Sequence, residues 1–398
     1  MNAALLRLIL AQVCLHAAMT GTRLAAPLLA LREGYSAAAV GVLLALFALT
    51  QVFLALPAGR FADRHGLRRP LTIAVASASA GAAMAAVLPV FPVLCIAALL
   101  TGGATGIAVI ALQRHVGRAA SNPTQLKQVF SWLAIAPAAA NFVGPFVTGL
   151  LIDHAGPMPG DLLGYRIAFA LLALLPIACW LLARGTPELP PVRLPAGAPK
   201  PRAWDLLSEP MFRRLLFVNW LQSASWDVHT FVLPILGHER GLSASMIGTI
   251  LGAFAVAAAG IRVVLPLVAS RFSERVVITA SNVITALVFA AYPLMSSALG
   301  MGVCSVLLGV ALGAVQPMVM SMLHQITPHA RHGEALGLRV MTLNASSVAM
   351  PMLFGAAGAL IGVAGVFWIV GGVVALGTRA VWGLQAPPSH EDQPIQSL

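Results

Sequence analysis

The chain has 398 residues, 59% of them hydrophobic and only 9% charged, with a mean hydropathy of +0.88 and a formal net charge of +11. Such a composition excludes a soluble domain, and continuous apolar runs of about 20 residues select membrane-spanning helices over a transmembrane barrel. The basic residues are scattered over loop positions, which excludes a nucleic-acid surface, and Cys14, Cys95, Cys179 and Cys304 fall inside apolar runs with neither disulfide nor metal-ligand spacing.

Twelve segments are predicted, at 5–31, 37–62, 70–91, 93–114, 127–152, 165–184, 212–237, 243–268, 275–294, 299–323, 334–361 and 364–384. The first is too long, and lacks the small-residue cleavage site, to be a signal peptide. It places His16, Thr20, Arg23 and Pro27 at i, i+4, i+7 and i+11, on one face. Between the second and third lies a compact charged turn, "LPAGRFADRHGLRRPLTI", at 56–73. The fifth carries "AANFVGPFVTGLL", with Gly144, Pro145 and Gly149, small residues that allow close helix packing. "RGTPELPPVRLPAGAPKPRAW" follows the sixth, and its six prolines from Pro187 to Pro201 make a semi-rigid linker. The expected organisation is therefore a six-helix bundle at 1–184, a linker at 185–210, a second bundle at 211–384 and a tail at 385–398.

The seventh segment sets Asn219, Ser223, Trp226, Asp227 and Thr230 on one face, with Gln222, Ser225 and His229 beside it. An ionisable group at the bilayer centre costs about 2.5 to 3.5 kcal/mol on insertion scales, so Arg23, Asp227 and Arg262 are candidate functional residues. Asp227 is the one acidic residue well inside a segment and the first candidate for proton coupling, with Arg23 as its partner, either as a permanent pair or as a switch. Arg262 reads as a snorkelling or helix-bonding arginine. His16, Thr20, Asn219, Gln222, Ser223, Trp226, His229 and Gln316 are candidate substrate contacts, each with an alternative reading as helix-packing glue. His324, His329 and His332 near Glu334 read as interfacial loop histidines rather than as a metal site, and no cofactor is expected.

With both termini in the cytoplasm, nineteen of the 24 Lys and Arg residues fall on that side, and the positive-inside rule supports this orientation. "APLLALREGYSAAAVG" at 26–41 aligns without a gap on "LPILGHERGLSASMIG" at 233–248, and the same offset of 207 pairs Gly102 with Gly309 and Gly106 with Gly313. Duplication of a six-helix unit, both copies inserted in the same orientation, explains the match.

The turn at 56–73 resembles the loop signature of the major facilitator superfamily, with Gly59, Ala62, Asp63, Arg64, Gly66, Arg68 and Leu71 matching and Phe61 and Leu67 departing. The resemblance implies two pseudo-symmetric bundles of six helices around a central cavity. It also implies a cytoplasmic gate of Gly59, Asp63, Arg64, Gly66 and Arg68, in which Gly59 lets the second helix approach the eleventh and Asp63 with neighbouring arginines makes charge contacts that hold the halves together when the transporter is open outward. Ser270 stands at the Asp63 position of the second half, so the gate is expected in the first half only. The fifth segment resembles the signature of the drug/proton antiporter branch, with Ala140 and Thr148 replacing glycines, and "GYRIAF" at 164–169 resembles the start of helix 6 in drug-efflux members. Ala98 stands where many of these antiporters carry an arginine tied to proton coupling. Arg23, where several exporters carry an acid, favours a neutral or anionic amphipathic substrate.

What these readings imply together is a non-enzymatic, monomeric, multi-pass protein of an inner membrane, in contact with lipid, that exports small organic molecules in exchange for protons. Uptake of an organic anion with protons, or a receptor on the same scaffold, are the alternatives.

Overall fold

The computed structural model describes residues 3–158, 160–189, 203–242, 244–268 and 271–384. Most of the linker, Ser243, Ser270 and the tail from 385 lie outside the described residues. Among the described residues the chain is helical throughout: α1 (Ala3–Arg32), α2 (Ala37–His65), α3 (Arg68–Val87), α4 (Phe91–Ala119), α5 (Pro123–Leu133), α6 (Ile135–His154), α7 (Leu162–Ala183), α8 (Pro210–Glu239), α9 (Ala244–Val268), α10 (Glu274–Ala291), α11 (Ala298–Ile326) and α12 (His332–Trp382). The α5 and α6 helices form one span broken at Ala134, whereas α12 is two spans separated at Gly362, whose φ of 74° no helix accommodates. The twelve predicted segments are thus all present, and the chain is a twelve-helix membrane bundle. Among the described residues ten helices are long and apolar enough to cross a membrane, by length and composition.

Helix starts are marked by short polar caps. Ser36, Asp161, Ser273 and Ser297 accept from the backbone N–H groups of Ala39, Gly164, Val276 and Gly300. Many large apolar side chains face outward, Phe53, Phe142 and Leu299 among them, as lipid-facing positions require.

The chain divides into two compact units. One comprises Met1–Ala120, Val129–Pro199 and Ala330–Leu353; the other comprises Ser121–Gln128, Lys200–His329 and Phe354–Leu398. In the first unit α1 packs on α4, α6 and α7, and α4 on α2 and α3. Its core is built largely from small side chains (Ala25, Ala26, Ala82, Ala97, Ala98) around Phe47 and Phe169, because helices in lipid associate through close contact rather than by escaping water. In the second unit α11 packs on α8, α9 and α10.

The internal repeat is visible in the packing. A side chain at Gly102 would collide with the Phe47 carbonyl, and one at Gly309 with the Phe254 carbonyl, 207 positions on for both partners. Likewise Gly106 lies against Gln51 and Gly313 against Ala258. Gly34 and Gly241, also an offset pair, both end their helices with positive φ, at 84° and 71°.

Candidate functional site

The α2–α3 turn is reached through Gly66, whose backbone N–H closes α2 on Ala62 O at 2.9 Å and whose φ of 73° excludes other residues. Just before it, α2 crosses the start of α12 with backbone against backbone. A side chain at Gly59 would strike the Gly333 carbonyl, one at Gly333 would strike Gly59, and one at Gly337 would strike the backbone of Ala55 and Leu56. Two small-residue steps of four, 55 to 59 and 333 to 337, make this crossing.

One turn beyond, the Asp63 carboxylate caps α12. Its Oδ1 accepts from Gly333 N at 2.9 Å, and its Oδ2 accepts from Glu334 N at 3.0 Å. These are among the first N–H groups of the helix, which lack intrahelical acceptors, and the helix dipole favours an anion there. From α4, Arg114 Nε donates to Asp63 Oδ1 at 2.6 Å and Arg114 Nη2 to Asp63 O at 3.2 Å. The Arg114 side chain is 2% exposed and that of Asp63 9%, so the pair is desolvated. Glu334 in turn accepts from Arg60 Nε at 2.8 Å and from Arg331 Nε at 2.9 Å. The result is a clasp of two acids and three arginines over a glycine crossing.

Of the predicted gate residues, Gly59 and Asp63 form this clasp. Arg64 is exposed, while Gly66 and Arg68 face the other way, toward Thr186 and Glu188. Arg114, Arg60 and Glu334 escaped the sequence reading because their partners are 51 and 274 residues away. The offset of 207 and the loop signature supplied no signal for them.

The second unit holds a related constellation. Glu274 Oε1 accepts from Ser321 Oγ at 2.9 Å and from Gln325 Nε2 at 2.8 Å, and Lys127 Nζ lies 3.8 Å from Glu274 Oε2. Lys127 also donates to Phe272 O at 3.0 Å, and Gln128 Nε2 to Pro266 O at 3.3 Å. Through the repeat offset Lys127 corresponds to Glu334, Pro266 to Gly59 and Ser321 to Arg114. Lys127 thus stands where the first half is met by Glu334, the uncharged Ser321 stands in place of Arg114, and the carboxylate is supplied at 274 rather than at 270.

Within the membrane helices the candidates separate into packed and open groups. The Thr20 hydroxyl donates to Ala140 O at 3.0 Å, and a side chain at Gly144 would strike it, so Thr20 joins α1 to α6. Pro145 lies inside α6, and Gly149 has open space beside it. His16 is half-buried and Arg23 exposed. On α8, Asn219, Gln222 and His229 are buried. Gln222 Nε2 donates to Asn282 Oδ1, while His229 Nε2 lies 3.0 Å from Ser305 Oγ and 3.3 Å from Tyr292 Oη, its ring stacked on Phe254. Ser223, Trp226 and Asp227 are half-buried, as is Gln316 on α11. Trp226 meets Phe254 edge-on at 4.5 Å, and the Arg262 guanidinium lies 6.0 Å from its ring centroid while Nε donates to Gly313 O at 3.3 Å. Arg339, 5% exposed in α12, is a further buried cation. No group of three or more His, Cys, Asp and Glu residues able to hold a metal occurs among the described residues.

The Major Facilitator Superfamily model matches residues 8–221 and 215–397. The chain therefore belongs to the Major Facilitator Superfamily, as a multi-pass membrane protein with that family's transporter fold. Its structure is similar to that of the human organic anion transporter MFSD10, at 18% identity and a TM-score of 0.78, covering 95% of this chain and 99% of the other. It is also similar to a bacterial homologue of the iron transporter ferroportin in an outward-facing state, at 16% identity and a TM-score of 0.78, covering 96% and 99%. A proton:xylose symporter is similar at 14% identity and a TM-score of 0.72, covering 96% and 95%. None of the curated proteins matches the chain by sequence.

Proposed function

We propose that the protein is a secondary active transporter that works by alternating access and exports small amphipathic organic molecules in exchange for protons. The observation that carries the alternating-access reading is the Asp63 clasp, a desolvated charge contact laid over a side-chain-free helix crossing. Contacts of this kind, made in one conformation and broken in another, set the balance between the two. In this reading the Lys127–Glu274 constellation is the second half's counterpart.

The signature around Gly144, Pro145 and Gly149 supports export. Asp227 is the proposed proton carrier, with Arg23 as its charge partner. The proposed substrate contacts narrow to the half-open side chains Ser223, Trp226 and Gln316 with His16, because Thr20, Asn219, Gln222 and His229 are engaged in packing or buried. The bundles and linker keep the boundaries proposed above, and the protein acts as a monomer in an inner membrane with both termini in the cytoplasm.

A second reading, proton-coupled uptake of an organic anion, is favoured by the intramembrane cations Arg23 and Arg262. It is also favoured by the similarity to an organic anion transporter. Proteoliposomes with an imposed pH gradient and a panel of neutral, anionic and cationic compounds decide between them. Export requires substrate movement against the proton flux, and Asp227→Asn should abolish its dependence on the gradient. Gradient-driven transport that survives Asp227→Asn would remove Asp227 from the mechanism.

A further inference from the structure

We propose that a file of ordered water runs between α8 and α10 in the second unit, from the Gln222–Asn282 pair to His229, so that α8 carries a wet inner face besides its half-open one. Four buried polar atoms along this interface have no hydrogen-bond partner among the described residues: Gln222 Oε1, Asn282 Nδ2, Thr285 Oγ1 and His229 Nδ1. A buried polar group left unpaired costs about 1 to 3 kcal/mol, so four along one interface call for a ligand.

The chemistry of these atoms names it. One bond, from Gln222 Nε2 to Asn282 Oδ1, leaves the two amides with one free acceptor and one free donor, and exchanging O and N in both leaves the same inventory. At His229 the neighbouring hydroxyl hydrogens are already spent, since Ser305 Oγ donates to Ile250 O at 2.8 Å and Tyr292 Oη to Met301 O at 3.0 Å. Nε2 lies 3.0 Å and 3.3 Å from these two oxygens and is therefore the ring's donor, which makes Nδ1 of the neutral imidazole a lone pair. The occupant must both donate and accept. A metal ion cannot accept from the amide N–H and an anion cannot donate to His229 Nδ1, whereas water does both.

Spacing and room agree with this. The α8 backbone packs on α11 and α9, while α10 reaches it through side chains, Gln222 meeting Asn282 and His229 meeting Tyr292 just beyond α10. Between these two contacts α8 rises about 10 Å. Thr285 stands three residues past Asn282 and Ser225 three past Gln222, both fully buried in the interval. Steps of about 5 Å match the reach of one water making two hydrogen bonds of about 2.8 Å. The first half supplies the dry counterpart: at the repeat offset of 207, Gln222, Asn282 and Thr285 correspond to Leu15, Val75 and Ala78, all buried. The fold therefore packs these positions with apolar side chains, and the amides and the hydroxyl are particular to the second half. The seam brings water to a titratable ring that is 0% exposed and lies off the half-open face of Ser223, Trp226 and Asp227.

Radiolytic hydroxyl labelling of the purified full-length protein reads water beside buried side chains. Phe254, stacked on His229, and Phe47, its counterpart at the repeat offset, are each 2% exposed and form a matched pair. Phe254 should be labelled well above Phe47, and the excess should be lost in Gln222→Leu/Asn282→Val, which writes in the first half's residues. Equal labelling of the two phenylalanines in the parent overturns the proposal, as does an excess at Phe254 that survives the double variant. Thr285→Val serves if the double variant does not fold, and its melting temperature gives a second reading. A hydroxyl bonded to water makes the valine variant less stable, whereas a dry one makes it more stable. A Thr285→Val protein that melts at or above the parental temperature overturns water in the seam. Neither reading involves transport, so the proton-driven export proposed above stands or falls separately.

Discussion

Replacing Asp63 by asparagine keeps the shape of the side chain and removes its charge, and its consequences divide between two kinds of partner. Arg114 lies on α4, in the same bundle as Asp63, so this pair persists in any rigid-body motion of the bundle; its loss leaves a buried guanidinium unpaired. Breaking a buried pair in this way costs about 3 to 5 kcal/mol, a cost borne by both conformations and read as thermal stability. The Gly333 and Glu334 N–H bonds exist only while the clasp is closed. A hydrogen bond to a charged group contributes about 1.5 to 3 kcal/mol and a neutral one about 1, so weakening two of them removes about 1 to 4 kcal/mol from the closed state alone. At about 1.4 kcal/mol per tenfold, the open fraction should rise about 5- to 700-fold. Maleimide alkylation of Ala335→Cys, a position 0% exposed while the clasp is closed, measures that fraction once the four native cysteines are replaced, and a melting curve measures the shared cost. A variant that melts lower with an unchanged alkylation rate would refute the division, because the clasp would then be a stabilising pair and not a conformational latch.

Three further outcomes follow from the same geometry. Gly59→Ala must push α12 away from α2, because its methyl group has no flexible neighbour to displace, only the Gly333 backbone; closed-state protection of Ala335→Cys should be lost. Lys127→Glu or Glu274→Lys alone should open the second constellation, and the double exchange should restore protection of Gln128→Cys toward the parental level, whereas single and double variants that behave alike would exclude a charge contact. Thr20→Val should lower stability by about 1 kcal/mol in a denaturation curve and leave the pH dependence of transport unchanged, since its hydroxyl is bonded to Ala140 O.

Helix positions were legible because lipid demands long apolar runs and marks their ends with glycine, proline and charge; even the Gly362 break falls between the eleventh and twelfth predicted segments. The repeat was legible in Gly102 and Gly309, where a backbone carbonyl approaches so closely that the residue type is forced. Gly59 and Asp63 could be read through a local signature. Arg114 could not, since a basic residue near the end of a segment looks like a topology signal until a carboxylate from another helix is placed 2.6 Å away. The polar stripe on α8 shows the same limit: Gln222 and Ser223 are adjacent in sequence, yet Asn282 takes the first while the second stays half-open. Which side of a polar helix is occupied depends on its neighbours, and helical periodicity carries no information about them.

The crossing of α2 and α12 has a kinetic meaning beyond its geometry. Interdigitated side chains must find their rotamers each time two surfaces meet, and each long chain immobilised costs up to about 2 kcal/mol in entropy. At Gly59, Gly333 and Gly337 there are no side chains to sort. Under the gating role proposed for this crossing, contact there would resemble two smooth rails touching, and the speed of closure would be governed by the charged groups at the rim rather than by the repacking of a core.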